Sequence, residues 1–324
     1  MKIAIVGATG EVGRMMIQVL SEFALPIDEL DLYASAKSAG SILYFDDQPI
    51  TVQELKVSSL LRNYDYVLFS AGAGIANSFA TVATTANSIV IDNSSAFRKE
   101  PNIPLVVPEI NSDMLMGYHG IIANPNCSTI QAVLPLAVLH RAFGLQKVIY
   151  TTYQSVSGSG FGGIETLLEQ RKGSSERGIY PRDIDLNVIP QIGGFNDSGY
   201  TQEEEKMHHE SRKILGLPDL QVSATTVRVP VTYGHSVSVY AEFAEKVHLH
   251  KAEELLSHAE AIEYNADNYM TPKELGSSND SHVSRLRFGC DERSLVFWNV
   301  GHNVRLGAAT NAIRILKQHY ELNR

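Results

Sequence analysis

A chain of 324 residues with 44% apolar and 19% charged side chains can build two ordinary domains with buried cores. Its net charge of −9 argues against nucleic acid or an anionic membrane as a partner, yet a local arginine cluster could still hold a small anion. Cys127 and Cys290 are too few for a disulfide framework, and the apolar run after Lys2 is too short for a signal-peptide core. No stretch reaches the roughly 18–20 apolar residues of a membrane span, so a cytoplasmic protein is expected.

Ile3–Val6 is a continuous apolar run, the pattern of a strand buried on both faces of a parallel sheet. Gly7-Ala8-Thr9-Gly10-Glu11-Val12-Gly13 follows, then a helical period through Met16, Ile17, Val19 and Leu20. Strand, glycine turn and helix form the context of a dinucleotide site, with the pyrophosphate on the helix N-terminus. The spacing is G-x-x-G-x-x-G and not G-x-G-x-x-G, so a plain strand–helix turn is the competing reading.

A second strand, Glu29–Ala34, ends in Ser35-Ala36-Lys37-Ser38. An NAD-selective site would place an acidic residue there for the ribose hydroxyls. Two hydroxyls and a cation suit a 2′-phosphate, so NADP is the expected cofactor. Tyr33 and Lys37 also match the Tyr-x-x-x-Lys pair of short-chain dehydrogenases, but at a strand end and not on the long helix that chemistry requires. Tyr66–Ser70 and Ser88–Asp92 read as further buried strands, ending in Ala71-Gly72-Ala73-Gly74 and Asn93-Ser94-Ser95-Ala96-Phe97-Arg98. In a doubly wound sheet such ends line the ligand crevice.

Asn124-Pro125-Asn126-Cys127-Ser128-Thr129 runs into an apolar helix through Ile130, Val133, Leu134, Ala137 and Val138. A thiol on the first turn of a helix meets unpaired N–H groups and the positive macrodipole end, which favour the nucleophilic thiolate. A small buried hydrophobe is the alternative. Beyond a strand at Ile149–Gln154, the glycine- and serine-rich Ser155–Gly163 reads as a loop that can approach a ligand with its backbone, or as a flexible linker, and a helix follows at Ile164–Lys172. Thr201 and Glu204 predict a capping box, with Glu203 and Lys206 on one face of the new helix. Arg228 and His235 flank a bend between two strands, and a histidine near a thiol can serve as acid and base. His248 and His250 alternate as on a strand, and His208 and His209 are adjacent; neither pair has a third ligand at zinc spacing, so no metal is expected.

Together these motifs resemble the aspartate-β-semialdehyde dehydrogenase family along nearly the whole chain. The glycine turn, Ala34–Gly40, Asp92–Arg98 and Asn124–Thr129 carry the resemblance in the first half. Tyr153–Gly158, Asn187–Gln191, Glu203–Lys206, Arg228–Val231 with His235, and Asn303–Ala309 carry it in the second. The resemblance implies a Rossmann-like α/β dinucleotide-binding domain of residues 1–126 plus 303–324, whose terminal helix spans about 306–320. It implies an α+β catalytic and dimerisation domain of residues 127–302, and a homodimer. Cys127 would be the nucleophile, His235 the acid/base and Gln154 an orienting residue.

On the same grounds Arg98 would bind phosphate with Lys206 assisting, Arg228 the α-carboxylate and Glu203 the α-amino group, with Asn126 and Ser157 also at the substrate. NADP would be met by Gly7, Thr9, Gly10, Glu11, Val12, Gly13, Ser35, Lys37, Ser38, Ser70, Ala71, Gly72, Asn93, Ser94, Ser157, Gly158 and Asn303. The implied reaction is reductive dephosphorylation of L-aspartyl-4-phosphate to aspartate semialdehyde through a cysteine thioester, serving lysine, threonine, methionine and diaminopimelate synthesis. Reduction of N-acetyl-glutamyl phosphate and a catalytically silent paralogue are the rival readings. The chain departs from the family at His302, where Asp is usual, at Ser281-His282-Val283-Ser284 and at Gly193-Gly194.

Overall fold

In a computed structural model describing all 324 residues, the first apolar run becomes β1 (Lys2–Val6), buried from Ile3 onward. Then come α1 (Glu11–Glu22), β2 (Glu29–Ala34), the hairpin β3 (Ile42–Phe45) and β4 (Gln48–Thr51), and β5 (Gln53–Glu54). β6 (Tyr66–Phe69), α2 (Ala73–Thr85), β7 (Ile89–Asp92), α3 (Pro108–Asn111) and β8 (Ile121–Ala123) complete this part. The main sheet is wholly parallel, in the order β5-β2-β1-β6-β7-β8. β6 and β7 are buried at every position, because helices cover both faces of such a sheet and the strands cannot alternate. α1 buries Met16, Ile17, Val19 and Leu20 in one stripe. The C-terminal helix, Asn311–Leu322, adds Ala312, Ile313, Ile315 and Leu316 to the same core. It follows a π-helical turn at Arg305–Thr310 and thus starts later than the residue 306 that the resemblance implies. Met1–Pro125 with Ala308–Arg324 form one unit.

The other unit is Asn126–Gly307. It contains α4 (Cys127–Phe143), β9 (Leu145–Gln154), α5 (Phe161–Arg171), α6 (Gln202–Leu215), β10 (Gln221–Arg228) and β11 (His235–Phe243). After these come α7 (Leu249–Ser257), β12 (Ile262–Asn265), β13 (Ser281–Phe288) and β14 (Ser294–Gly301). The sheet is mixed, in the order β10-β9-β11-β14-β13-β12, with β10–β9 and β12–β13 parallel. β9 alternates: Val148, Tyr150, Thr152 and Gln154 point into the core, while Ile149 and Tyr153 stay on the open face. Buried Leu136, Leu139, Val237, Val239 and Phe297 fill that core, each gaining about 1.5–3 kcal/mol from removal from water.

Two local expectations are corrected. His248 is the N-cap of α7 and His250 lies inside it, because Leu249, Ala252 and Leu256 set a helical stripe that overrides the apparent alternation. The glycine-rich Ser155–Gly163 is no open loop either: Val156–Ser159 is a 3₁₀ turn and the following helix begins at Phe161.

Candidate active site

In the first unit the chain leaves β1 through Gly7, whose φ of +84° favours glycine. Gly10 N–H donates to Gly7 O at 3.1 Å and closes the turn. Gly10 caps α1 without a side-chain bond, which leaves first-turn N–H groups for an anion. Ser70, at the end of β6, donates to Gly7 O at 3.0 Å and to Val6 O at 3.1 Å. At the end of β7, Asp92 accepts from Ser94 N and Oγ; burial pushes its carboxyl above the usual range. Asn93 beside it buries both amide atoms without a partner, a donor and an acceptor held ready. Arg98 is buried and anchored by its bond to Asn93 O at 2.7 Å. Ser35 and Lys37 stand exposed in the turn after β2, closed by Ser38 N on Ser35 O at 2.9 Å.

In the second unit Asn126 caps α4, accepting from Ser128 N at 3.0 Å and Thr129 N at 3.3 Å, so Cys127 is the first helical residue. Neither cysteine is in a disulfide. Asn126 Nδ2 donates to Glu203 Oε1 at 2.7 Å, and Gln154 Nε2 donates to the same oxygen at 3.1 Å. Lys206 Nζ meets Glu203 Oε2 at 2.8 Å, as their shared face of α6 requires. Burial alone would raise the Glu203 carboxyl. The Lys206 charge and the donors from Lys206, Gln154 and Asn126 outweigh it and bring the group down to about 2. The capping box of α6 is present, Thr201 Oγ1 accepting from Glu204 N while Glu204 accepts from Thr201 N.

β10 and β11 deliver Arg228 and His235. The Arg228 guanidinium is buried and donates to Ser155 O at 2.5 Å, while its Nε has no partner. His235 is fully buried, its Nδ1 accepting from Ser155 N at 3.0 Å. The neutral ring therefore carries its proton on Nε2, which is buried without a partner. Burial and the neighbouring Arg228 charge lower the ring to about 3, against a smaller opposing pull from Glu203. A Cβ on Gly158 would lie 2.9 Å from an Arg228 nitrogen and 3.2 Å from His235 Nε2, so glycine keeps this space open. Asn303 Oδ1 accepts from Gly234 N at 2.9 Å, and its Nδ2 donates to Ser157 Oγ at 2.9 Å, bracing the turn that precedes His235.

Four contributors carry no clear sequence signal. Ser155 sets the ring tautomer, and Glu210 accepts from Asn126 N at 2.6 Å. A Cβ on Gly307 would come 2.6 Å from that of Cys127, and Gln131 bonds the main chain of His235. Only Gln131 had a readable hint, its place one helical turn after Cys127.

A buried, charged Glu203 beside a lysine, a buried arginine, a histidine donor and a thiol at a helix start can hold an amino acid and attack its side-chain acyl carbon. The chain as a whole is similar to known proteins. Residues 2–118 match the family model for the semialdehyde dehydrogenase NAD binding domain, and residues 136–306 match that for its dimerisation domain. The aspartate-semialdehyde dehydrogenase of Aquifex aeolicus is 42% identical, over 97% of this chain and 96% of that one. The crystal structure of aspartate semialdehyde dehydrogenase II from Vibrio cholerae, complexed with ASA, superposes with a TM-score of 0.94 at 38% identity, over 99% and 98% of the chains. That of the Candida albicans enzyme with NADP gives 0.78 at 25% identity, over 99% and 98%. On this evidence the chain belongs to the aspartate-semialdehyde dehydrogenase family.

Proposed function

We propose that the protein catalyses the NADPH-dependent reductive dephosphorylation of L-aspartyl-4-phosphate to aspartate semialdehyde, and the reverse, as a cytoplasmic homodimer. This places it in the synthesis of lysine, threonine, methionine and diaminopimelate. The observation that carries the reading is the buried Glu203 carboxylate, kept ionised by Lys206, Asn126 and Gln154. An ionised carboxylate buried in the unit that also buries Arg228 suits a free α-amino group and an α-carboxylate. N-acetyl-glutamyl phosphate has no ammonium to offer it.

The Cys127 thiolate attacks the acyl carbon, the carbon–oxygen bond to phosphate breaks, and phosphate departs with the electron pair, leaving a thioester. NADPH, when bound, supplies the hydride that reduces this thioester. His235 Nε2–H donates to the oxygen that gains charge, and the carbon–sulfur bond then breaks to return the thiolate. Arg98 and Lys206 serve the phosphate, and Arg228 the α-carboxylate. The first unit fits the nucleotide: the uncapped start of α1 suits the pyrophosphate, Asn93 offers a buried amide, and Ser35, Lys37 and Ser38 suit a 2′-phosphate. Ser157, Gly158 and Asn303 are assigned to the nicotinamide end.

The test is the reverse reaction with aspartate semialdehyde, phosphate and NADP, followed by the absorbance of the reduced cofactor. A phosphate-dependent signal abolished by Cys127→Ala, with NADP binding retained, is expected. Substantial turnover in that variant would rule out the covalent scheme. Turnover only with the N-acetyl-glutamyl analogue would reassign the substrate.

A further inference from the structure

A buried polar side chain is costly in a core unless it is bonded, and Gln131 is 1% exposed on α4, one turn after Cys127. Its Nε2 donates to the backbone carbonyl of His235 at 3.2 Å and to Asn299 Oδ1 at 3.0 Å. Asn299 Nδ2 is itself spent on Ser281 Oγ at 2.7 Å and the His282 carbonyl at 3.2 Å, so both amides can be oriented only one way. Ser281 Oγ returns to the Gln131 carbonyl at 2.8 Å. Gly301 pairs with His235 across β14 and β11, and a Cβ there would lie 2.9 Å from Gln131 Oε1. The sheet thus keeps a glycine where this amide needs room. Gln131 Oε1 has no partner, a cost an apolar residue of the same shape would not carry.

We propose that Gln131 is a positioning residue, its amide tying the helix that starts at Cys127 to the strand that starts at His235. Nucleophile and acid sit on separate elements, α4 and β11, and this bond crosses between them at the main chain of His235 itself. The register of Cys127 against the imidazole then follows from one buried hydrogen bond. The inference rests on His235 being the acid, as proposed above.

The experiment is a double-mutant cycle on the full-length enzyme in the reverse assay. Gln131→Met keeps the volume and removes the donor. Its kcat should fall on the order of 30-fold with KM within about twofold, as expected for lost alignment. In the His235→Ala background the same change should cost less than about twofold. Equal losses in both backgrounds overturn the proposal. A His235→Ala enzyme as active as the parent overturns the reading of His235 itself, and shows this before Gln131 is altered. Should Gln131→Met fail to fold, Gln131→Glu replaces it. The neutral carboxyl still donates to the His235 carbonyl and the ionised one repels it, so kcat should drop with rising pH in a limb the parent lacks. A parental pH profile in that variant overturns the proposal.

Discussion

The backbone N–H of Ser155 donates to Nδ1 of His235 over 3.0 Å, and this bond decides that Nε2 carries the proton of the neutral ring. His235 therefore meets a substrate as a donor. With the ring held at about 3, the pH profile of kcat should show no inflection from this residue near its ordinary 6.5. His235→Ala should lower kcat by roughly 10²–10⁴-fold. A steady-state pH series on both enzymes checks the two statements together.

The same burial predicts acid sensitivity of the fold. His235 is lowered from 6.5 to about 3, so between those values the unfolded chain binds a proton that the native chain refuses. Its contribution to stability is complete above pH 6.5 and is lost as pH falls toward 3. Glu203, lowered from 4.5 to about 2, adds a loss that starts below pH 4.5. Urea midpoints should fall steadily from pH 7 to pH 4, and less steeply in His235→Gln.

His302 stands where the family usually has aspartate, and its Nδ1 accepts from Arg305 N at 3.3 Å, an acceptor's task that aspartate can also perform. Burial and Arg305 hold the ring at about 4, so it stays neutral and able to accept. His302→Asp should keep this turn bond, whereas His302→Ala should lose about 1 kcal/mol, the usual worth of one hydrogen bond. Thermal denaturation at pH 7 separates the two variants.

Two glycines should respond differently to an added methyl. At Gly307 it would come 2.6 Å from Cys127 Cβ and 2.9 Å from its Cα, so main chain must shift. Gly307→Ala should be destabilised by about 1–3 kcal/mol and nearly inactive. At Gly158 the obstacles are the ends of Arg228 and His235 side chains. Gly158→Ala should keep its melting temperature and lose kcat/KM by about 10-fold or more.

The turn after β2 should govern cofactor choice. Ser35 and Lys37 are exposed there, free of any fixed carboxylate. Ser35→Asp should weaken NADP binding by about 10-fold or more through repulsion of the 2′-phosphate, with the semialdehyde KM unchanged. Fluorescence titration with NADP and NAD reads the effect directly.

Local chemistry made much of this legible in the chain alone. Continuous apolar runs such as Ile3–Val6, cut off by a glycine turn that leads into a helix, carry the pattern of strands covered on both sides. The apolar period after Cys127, and Thr201 before Glu204, specify helix starts through patterns and bonds a few residues long. What joins Glu203 to Asn126 and Gln154, Gln131 to His235, or Gly307 to Cys127 spans tens to hundreds of residues of sequence. No periodicity records such pairs. The protonation states of His235 and Glu203 likewise depend on burial and neighbouring charge, and only the folded chain brings those about.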